Sequence, residues 1–131
     1  MDLEVTSGVN ATLLKEAASA WPEECCGLLM GEGARIESTI PARNVHPDPA
    51  SHFEIDPAVL IAAHRAARQG GPQVLGYYHS HPNGRSTPSP EDQACAERQG
   101  RIWAIIAGGE VLWWRDETDR FEPLPTRVVA R

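Results

Sequence analysis

Tyr77-Tyr78-His79-Ser80-His81-Pro82 carries two histidines separated by one residue, and Ser89-Pro90-Glu91-Asp92 follows it after a short loop. If residues 74–81 form a strand, His79 and His81 lie on the same face with their Cα atoms about 7 Å apart. Two imidazoles at that separation can bind one metal ion through nitrogens at about 2.0–2.1 Å. The stretch therefore predicts a strand that ends in a metal site.

Asp92 lies eleven residues after His81, across a loop that can fold back and supply a carboxylate. Two histidines and one aspartate leave a fourth position for water, as in catalytic zinc sites. The same segment predicts a helix start, with Ser89 as N-cap, Pro90 at the first position and Asp92 as the capping-box carboxylate. The two interpretations are compatible, because a helix N-terminus favours the ionised carboxylate that a metal requires. A His-x-His pair alone is often only the polar face of a strand.

Length and composition predict one domain that spans residues 1–131 and buries about two thirds of the surface of its unfolded chain. The net charge is −6, and no cluster of Lys and Arg is present, which argues against nucleic acid and membrane surfaces as partners. Three cysteines do not form a disulfide framework, and the acidic start lacks the features of a signal peptide. A cytoplasmic location is the expectation.

The periodicity of the chain predicts an α/β or α+β fold, with one mixed sheet and three helices. The helices are expected from Asn10 as cap to about residue 20, from Asp56-Pro57 to about residue 69, and over about residues 90–99. Strands are expected near residues 3–5, 23–31, 34–42, 74–81, 101–107 and 110–115, and residues 120–129 are at best an edge strand, since they contain two prolines. The core is expected to include Leu13, Leu14, Ala17, Ala18, Trp21 and Cys95.

Two acidic residues, Glu23 and Glu24, precede the apolar strand that begins at Cys25. One interpretation is a solvated pair at a strand end, and the other is a general base beside the metal. Side chains alternate along a strand, so only one of the two can face the site. The residues alone do not choose between them. His46 and His52 lie in a polar loop and could be ligands, although an ordinary loop histidine is the simpler interpretation for each.

With these residues in hand, the chain resembles the JAMM (MPN+) metalloproteases. That family has a glutamate in an early strand, then His-x-His-Pro, then a Ser with seven residues between it and the second His, and an Asp after two more residues. The matching residues here are Glu24, His79, His81, Ser89 and Asp92. In the family the catalytic glutamate lies three residues before a glycine, here Gly27, which selects Glu24 over Glu23. The resemblance covers residues from about 3 to 114.

The resemblance implies a curved sheet with flanking helices and one zinc ion held by His79, His81, Asp92 and a water. Glu24 would be the general base, and Ser89 would donate a hydrogen bond to the oxyanion. Family members cleave after the C-terminal Gly-Gly of ubiquitin or ubiquitin-like proteins. The short chain favours the compact prokaryotic type, whose substrates are sulfur carriers or small modifiers. A homodimer is compatible with this expectation.

Three alternatives remain at this point. Relatives that lack the metal ligands serve as assembly subunits, so a non-catalytic scaffold is the first. A two-His, one-carboxylate iron enzyme is the second, although a nearby glutamate and serine suit hydrolysis better. Cysteine chemistry at Cys25 or Cys26 is the third, but their apolar neighbours favour inert buried thiols.

Overall fold

The computed structural model describes residues 2–130, which form one eight-stranded mixed sheet and three helices. The helices are α1 (Ser7–Ala20), α2 (Pro57–Arg68) and α3 (Pro90–Cys95). The strands are β1 (Leu3–Thr6), β2 (Cys26–Glu32), β3 (Arg35–Ala42), β4 (Gln73–Ser80), β5 (Ile102–Ala107), β6 (Glu110–Asp116), β7 (Phe121–Pro123) and β8 (Thr126–Val129). The predicted fold class, a single mixed curved sheet with three helices, is confirmed.

The strands lie in the order β7-β6-β5-β4-β2-β3-β1-β8, so β4 is central and has β2 and β5 as neighbours. β4 runs antiparallel to β2 and parallel to β5. The last part of the chain forms both edges, with β7 beside β6 and β8 beside β1. An edge position tolerates Pro123, because a proline there removes no hydrogen bond from the interior of the sheet.

Apolar side chains cover both faces of the sheet. On one face, α1 packs through Val9 and Leu13 against a cluster that includes Leu3, Leu29 and Tyr78. On the other face, a second cluster contains Cys26, Leu28, Met30, Ile55, Ala63 and Val74, where Ala63 belongs to α2. Each large side chain buried in this way contributes about 1.5–3 kcal/mol. The end of β4 that carries the histidines is therefore supported from both sides.

Two glycines allow the central strands to approach each other closely. A Cβ atom on Gly27 would lie 2.4 Å from the hydroxyl of Tyr78, and one on Gly76 would lie 1.8 Å from the carbonyl oxygen of Ile102. Both distances are far below van der Waals contact. Only glycine fits at these two positions while β2, β4 and β5 keep their present spacing.

Two predicted helix boundaries differ from the structure: the start of α1 and the end of α3. α1 begins at Ser7 and not at Asn10, because the hydroxyl of Thr6 accepts a hydrogen bond from the backbone N–H of Val9 and caps the helix earlier. α3 ends at Cys95 and not near residue 99, because Ala96 has an extended backbone with ψ of 133°. The prediction from the helical period was too long there.

Three predicted core residues lie at the surface. Ala18 is exposed on α1, two residues before the helix ends. Trp21 is 68% exposed, because it follows the end of α1 in an extended conformation and leaves the apolar face of the helix. Cys95 is also exposed, at the last position of the shortened α3. In contrast, Cys25 and Cys26 are buried in clusters on opposite faces of the sheet, because successive side chains of an extended segment alternate between the two faces. No helix within residues 2–130 has the length and apolar character that crossing a membrane requires.

Candidate metal centre

The register between β2 and β4 brings the early glutamate to the histidine strand. Cys26 pairs with His79. The next pair, Cys25 and Ser80, forms two hydrogen bonds. The N–H of Cys25 donates to the hydroxyl of Ser80 at 2.9 Å, and the N–H of Ser80 donates to the carbonyl of Cys25 at 3.1 Å. One residue further along this antiparallel register, Glu24 comes opposite His81.

The structure brings together the three predicted ligands, His79, His81 and Asp92. The Nε2 atoms of the two histidines are 3.0 Å apart, and Oδ2 of Asp92 lies 3.2 Å from the first and 3.0 Å from the second. All three residues are buried: 0% of the surface of His79, 7% of that of His81 and 3% of that of Asp92 is exposed. Among residues 2–130, this is the cluster of metal-binding side chains with ligand atoms close enough to share one ion.

This donor set fits a metal ion in two respects. Ligands at about 2.0–2.1 Å in a tetrahedron have edges of about 3.3 Å, close to the observed separations. A metal also requires neutral imidazole and ionised carboxylate. Burial lowers the pKa of His79. Burial also opposes the charged form of His81, but its hydrogen bonds with Asp92 and the carbonyl of Arg85 raise its pKa, so metal binding would displace a proton from this ring. Although burial alone would raise the pKa of Asp92, its hydrogen bonds with the two histidines hold that pKa well below its usual range.

Two of the three ligands are oriented by hydrogen bonds from outside the cluster. The Nδ1 atom of His81 carries a proton and donates it to the carbonyl oxygen of Arg85 at 2.7 Å, so Nε2 is the nitrogen that would bind a metal once it has lost its own proton. The N–H of Ser89 donates to Oδ2 of Asp92 at 2.9 Å, and the hydroxyl of Ser89 accepts from the N–H of Asp92 at 3.0 Å. The predicted capping box is therefore present at the start of α3. It fixes the carboxylate at the site.

The third ligand, His79, is held by aromatic packing. Phe53 stacks on its ring with centroids 4.3 Å apart and an interplanar angle of 17°. Trp103 contacts the same ring with its edge, at 5.7 Å between centroids. The Nδ1 atom of His79 is buried without a hydrogen-bond partner among the described residues. Its orientation therefore depends on these two neighbours.

The two predicted catalytic residues line the same cavity beside the ligands. Glu24, Ser89 and His81 contribute to the wall of a cavity of about 340 Å³. Glu24 is 7% exposed, and burial, aided by the nearby carboxylates of Asp92 and Glu91, raises its pKa to about 7 against the opposing effect of His81. A carboxyl group with this pKa can both accept and return a proton near neutral pH.

Other candidates from the sequence lie away from this cluster. Glu23 is exposed, while Glu24 is buried, so the structure separates the two glutamates. His46 and His52 stack on each other with centroids 4.6 Å apart and do not join the cluster. Burial raises the pKa of the Cys25 thiol to about 11, which keeps it protonated and unreactive at neutral pH.

Comparison with known sequences identifies the family. The sequence model described as "Prokaryotic homologs of the JAB domain" matches residues 6–117. The chain belongs to this family. The predicted membership among prokaryotic JAMM/MPN+ proteins is therefore confirmed.

Three curated relatives match about three quarters of the chain. It is similar to a probable TtuB-protein conjugate cleaving protease of Thermus thermophilus (40% identity over 76% of this chain and 62% of the relative). It is also similar to a desampylase of Haloferax volcanii (34% identity over 70% of this chain and 67% of the relative). Tail tip assembly protein K of Escherichia phage N15 is 31% identical over 75% of this chain and 38% of its own length. The matched region thus spans less than two thirds of the Thermus and phage proteins.

Solved structures agree with the fold. The solution structure of protein DSY2949 from Desulfitobacterium hafniense has a TM-score of 0.84 and 28% identity, and the match covers 98% of this chain and 93% of that one. The crystal structure of AF2198, a JAB1/MPN domain protein from Archaeoglobus fulgidus, has a TM-score of 0.63 and 22% identity, with 96% and 97% covered. The second likeness concerns the fold alone.

Proposed function

We propose that this protein is a zinc-dependent peptidase or isopeptidase that hydrolyses the bond after the C-terminal Gly-Gly of a ubiquitin-like modifier or sulfur carrier. One observation carries the proposal: three buried donor atoms converge within hydrogen-bond distance of one another, and one of the three ligands, His81, lines the cavity that Glu24 and Ser89 also line. Two relatives are named for cleavage of TtuB conjugates and as desampylase, which supports a modifier protein as the substrate.

In this proposal His79, His81 and Asp92 hold the zinc ion and Glu24 is the general base. When bound, zinc lowers the pKa of a water to about 7 and polarises the substrate carbonyl. Glu24 removes a proton from the attacking water and delivers it to the leaving amine nitrogen, so that the C–N bond breaks as the carbonyl carbon gains a hydroxyl. In the metal-free protein burial raises the pKa of Glu24 to about 7, which favours the proton-accepting half of this role near neutral pH as well as the return of the proton.

Ser89 is assigned to the oxyanion that develops on the scissile carbonyl. Its hydroxyl oxygen accepts the N–H of Asp92. The hydroxyl hydrogen has no acceptor among residues 2–130 and is therefore available to donate. Its position in the wall of the cavity, three residues before the ligand Asp92 in the sequence, supports this role. A donor placed there stabilises negative charge that is absent from the ground state.

The test uses fusions in which a ubiquitin-like carrier ending in Gly-Gly is joined to a reporter. We expect the wild-type protein to release the carrier after the second glycine, as shown by mass spectrometry. Glu24→Gln and treatment with a chelator should abolish release, and added zinc should restore it in the chelated wild type. Glu23→Gln is the matched control, because it makes the same change on the exposed neighbour and should cleave normally.

A second candidate function is that of a non-catalytic assembly subunit, which the likeness to the phage tail tip assembly protein favours. Zinc content separates the two candidates. A protein that retains no zinc and cleaves no carrier would favour assembly. One zinc per chain with cleavage that depends on Glu24 would exclude it, and iron in place of zinc would return the iron enzyme to consideration.

We also propose a cytoplasmic location, because Cys25, Cys26 and Cys95 are all free thiols, which persist in a reducing compartment. The homodimer stays a prediction, and size-exclusion chromatography with light scattering tests it.

A further inference from the structure

The chain between β3 and α2 forms a loop at the rim of the cavity, which we call the site loop (residues 45–54). Its neck is closed by a bridge between Asn44 and Ile55 and by a hydrogen bond of 2.9 Å from the N–H of Val45 to the carbonyl of Glu54. The N–H of Asp56 also donates to the carbonyl of Arg43 at 3.2 Å. The loop is therefore fixed where it leaves and rejoins the fold.

The side chain of Asn44 uses all of its hydrogen-bonding capacity within this region. Its amide nitrogen donates to the carbonyl of Glu24 at 3.1 Å and to the carbonyl of His52 at 2.9 Å. Its oxygen accepts from the N–H groups of His46 and Glu54, each at 3.1 Å. A carboxamide has two donors and two acceptor positions, so none is left over. The partners also fix which atom is nitrogen.

One arm of this network holds the backbone of Glu24. Asn44 binds its carbonyl, and Pro49 of the site loop accepts a hydrogen bond of 2.8 Å from its N–H. The following N–H, that of Cys25, donates to the hydroxyl of Ser80, which lies between the two histidine ligands. Glu24 precedes the first residue of β2 and so lacks strand neighbours on its own. Asn44 and, within the site loop, Pro49 supply the missing hydrogen-bond partners.

The other arm holds the ring that packs on a metal ligand. The hydrogen bonds of Asn44 to His52 and Glu54 lie on either side of Phe53. Phe53 stacks on His79, whose Nδ1 atom has no hydrogen bond among the described residues to orient it. The position of this ligand therefore depends on a phenyl ring whose backbone Asn44 fixes.

We propose that Asn44 is a positioning residue that holds the general base and one metal ligand in their mutual arrangement, through the backbone of Glu24 and through Phe53. The base and the ligand come from different strands. One carboxamide connects both to the site loop. The catalytic arm of this proposal rests on the proposed function, and the metal arm does not.

The test compares Asn44→Ala and Asn44→Asp with the wild type and with Asn10→Ala. The aspartate keeps the two accepted hydrogen bonds but places an oxygen, which cannot donate, against the carbonyls of Glu24 and His52. We therefore expect Asn44→Asp to impair the site as Asn44→Ala does. Asn10 lies on α1, outside both the network and the cavity, and serves as the matched control. Phe53→Leu tests the metal arm without altering Asn44.

The first readout is the rate at which excess chelator removes zinc from the loaded protein, which does not depend on activity. We expect a rate about 10–100-fold higher in both Asn44 variants, as for other residues that support metal ligands. Phe53→Leu should also release zinc faster, and Asn10→Ala should match the wild type. The second readout is cleavage at saturating zinc, where kcat should fall at least tenfold in the Asn44 variants while KM stays within threefold.

Wild-type zinc release in both Asn44 variants would overturn the proposal, whatever their activity. Variants that lose their circular dichroism signal and thermal unfolding transition would also overturn it, because Asn44 would then support the fold and not the site. If the wild type binds zinc but cleaves no carrier, the proposed function fails. Faster zinc release from Asn44→Ala, Asn44→Asp and Phe53→Leu would still support the metal arm in that case.

Discussion

Replacing Ser89 with alanine separates the two roles that the structure gives to this side chain. The variant loses the acceptor for the N–H of Asp92, a helix cap whose removal typically costs about 1 kcal/mol. It also loses the hydroxyl donor assigned to the oxyanion, and removal of one such donor costs about 10²–10³ in kcat, or about 2.7–4 kcal/mol. The hydrogen bond from the backbone N–H of Ser89 to Oδ2 of Asp92 survives the substitution. The metal site should therefore stay intact.

We expect Ser89→Ala to keep one zinc per chain and a cooperative unfolding transition, while kcat for a Gly-Gly fusion falls by at least a hundredfold. Ser89→Thr, which keeps a hydroxyl, should recover a large part of the rate. Thr6→Ala is the matched control, since it removes a helix cap at α1 without touching the site. Near-normal turnover of Ser89→Ala would remove Ser89 from the mechanism. Loss of zinc from this variant would show that its effect comes through Asp92 instead.

Three further predictions concern stability and reactivity. Burial raises the pKa of Glu24 from 4.5 to about 7, so its contribution to the stability of the metal-free protein is fully present below about pH 4.5 and is lost as the pH rises through about 7. Urea titrations should show that the free energy of unfolding declines by a few kcal/mol over this range in the wild type but not in Glu24→Gln. The same dependence of unfolding free energy on pH in both proteins would contradict the assignment. Iodoacetamide at pH 7.5 should add one group to the folded protein, at Cys95, because Cys25 and Cys26 are buried with pKa values raised to about 11 and 12. Cleavage activity should survive the reaction. Two or three added groups would show that the buried thiols are accessible. Gly76→Ala should destabilise the protein by about 3 kcal/mol or more, because the new Cβ would lie 1.8 Å from a backbone carbonyl of β5. An unchanged midpoint of urea unfolding would show that β4 and β5 can move apart without loss of stability.

Local patterns predicted most of the elements correctly. Alternation along β4 was enough to place His79 and His81 on one face, and the Ser-Pro-Glu-Asp segment was enough to predict a capped helix that presents Asp92. These predictions succeed because the relevant contacts lie within a few residues of one another. The errors fall at element ends, such as Trp21 and Cys95, where a periodic pattern does not show where the helix stops.

The choice between Glu23 and Glu24 shows what short-range patterns leave open. Because side chains alternate along a strand, only one of the two glutamates can face the site. The register of β2 against β4 determines which glutamate this is, and that register depends on contacts between residues about 55 positions apart. The family resemblance selected Glu24, and the burial of this residue in the structure agrees with that choice.

The spacing of residues along the chain was enough to predict the candidate metal ligands, the class of the fold, and the strand and helix that carry the ligands. Tertiary structure alone decided that the three donor atoms converge, that Glu24 is buried beside them and that Phe53 packs on His79. It also decided that Asn44 connects the two arms of the site. These contacts join segments that are distant in sequence, and no local periodicity records which of them meet when the sheet forms.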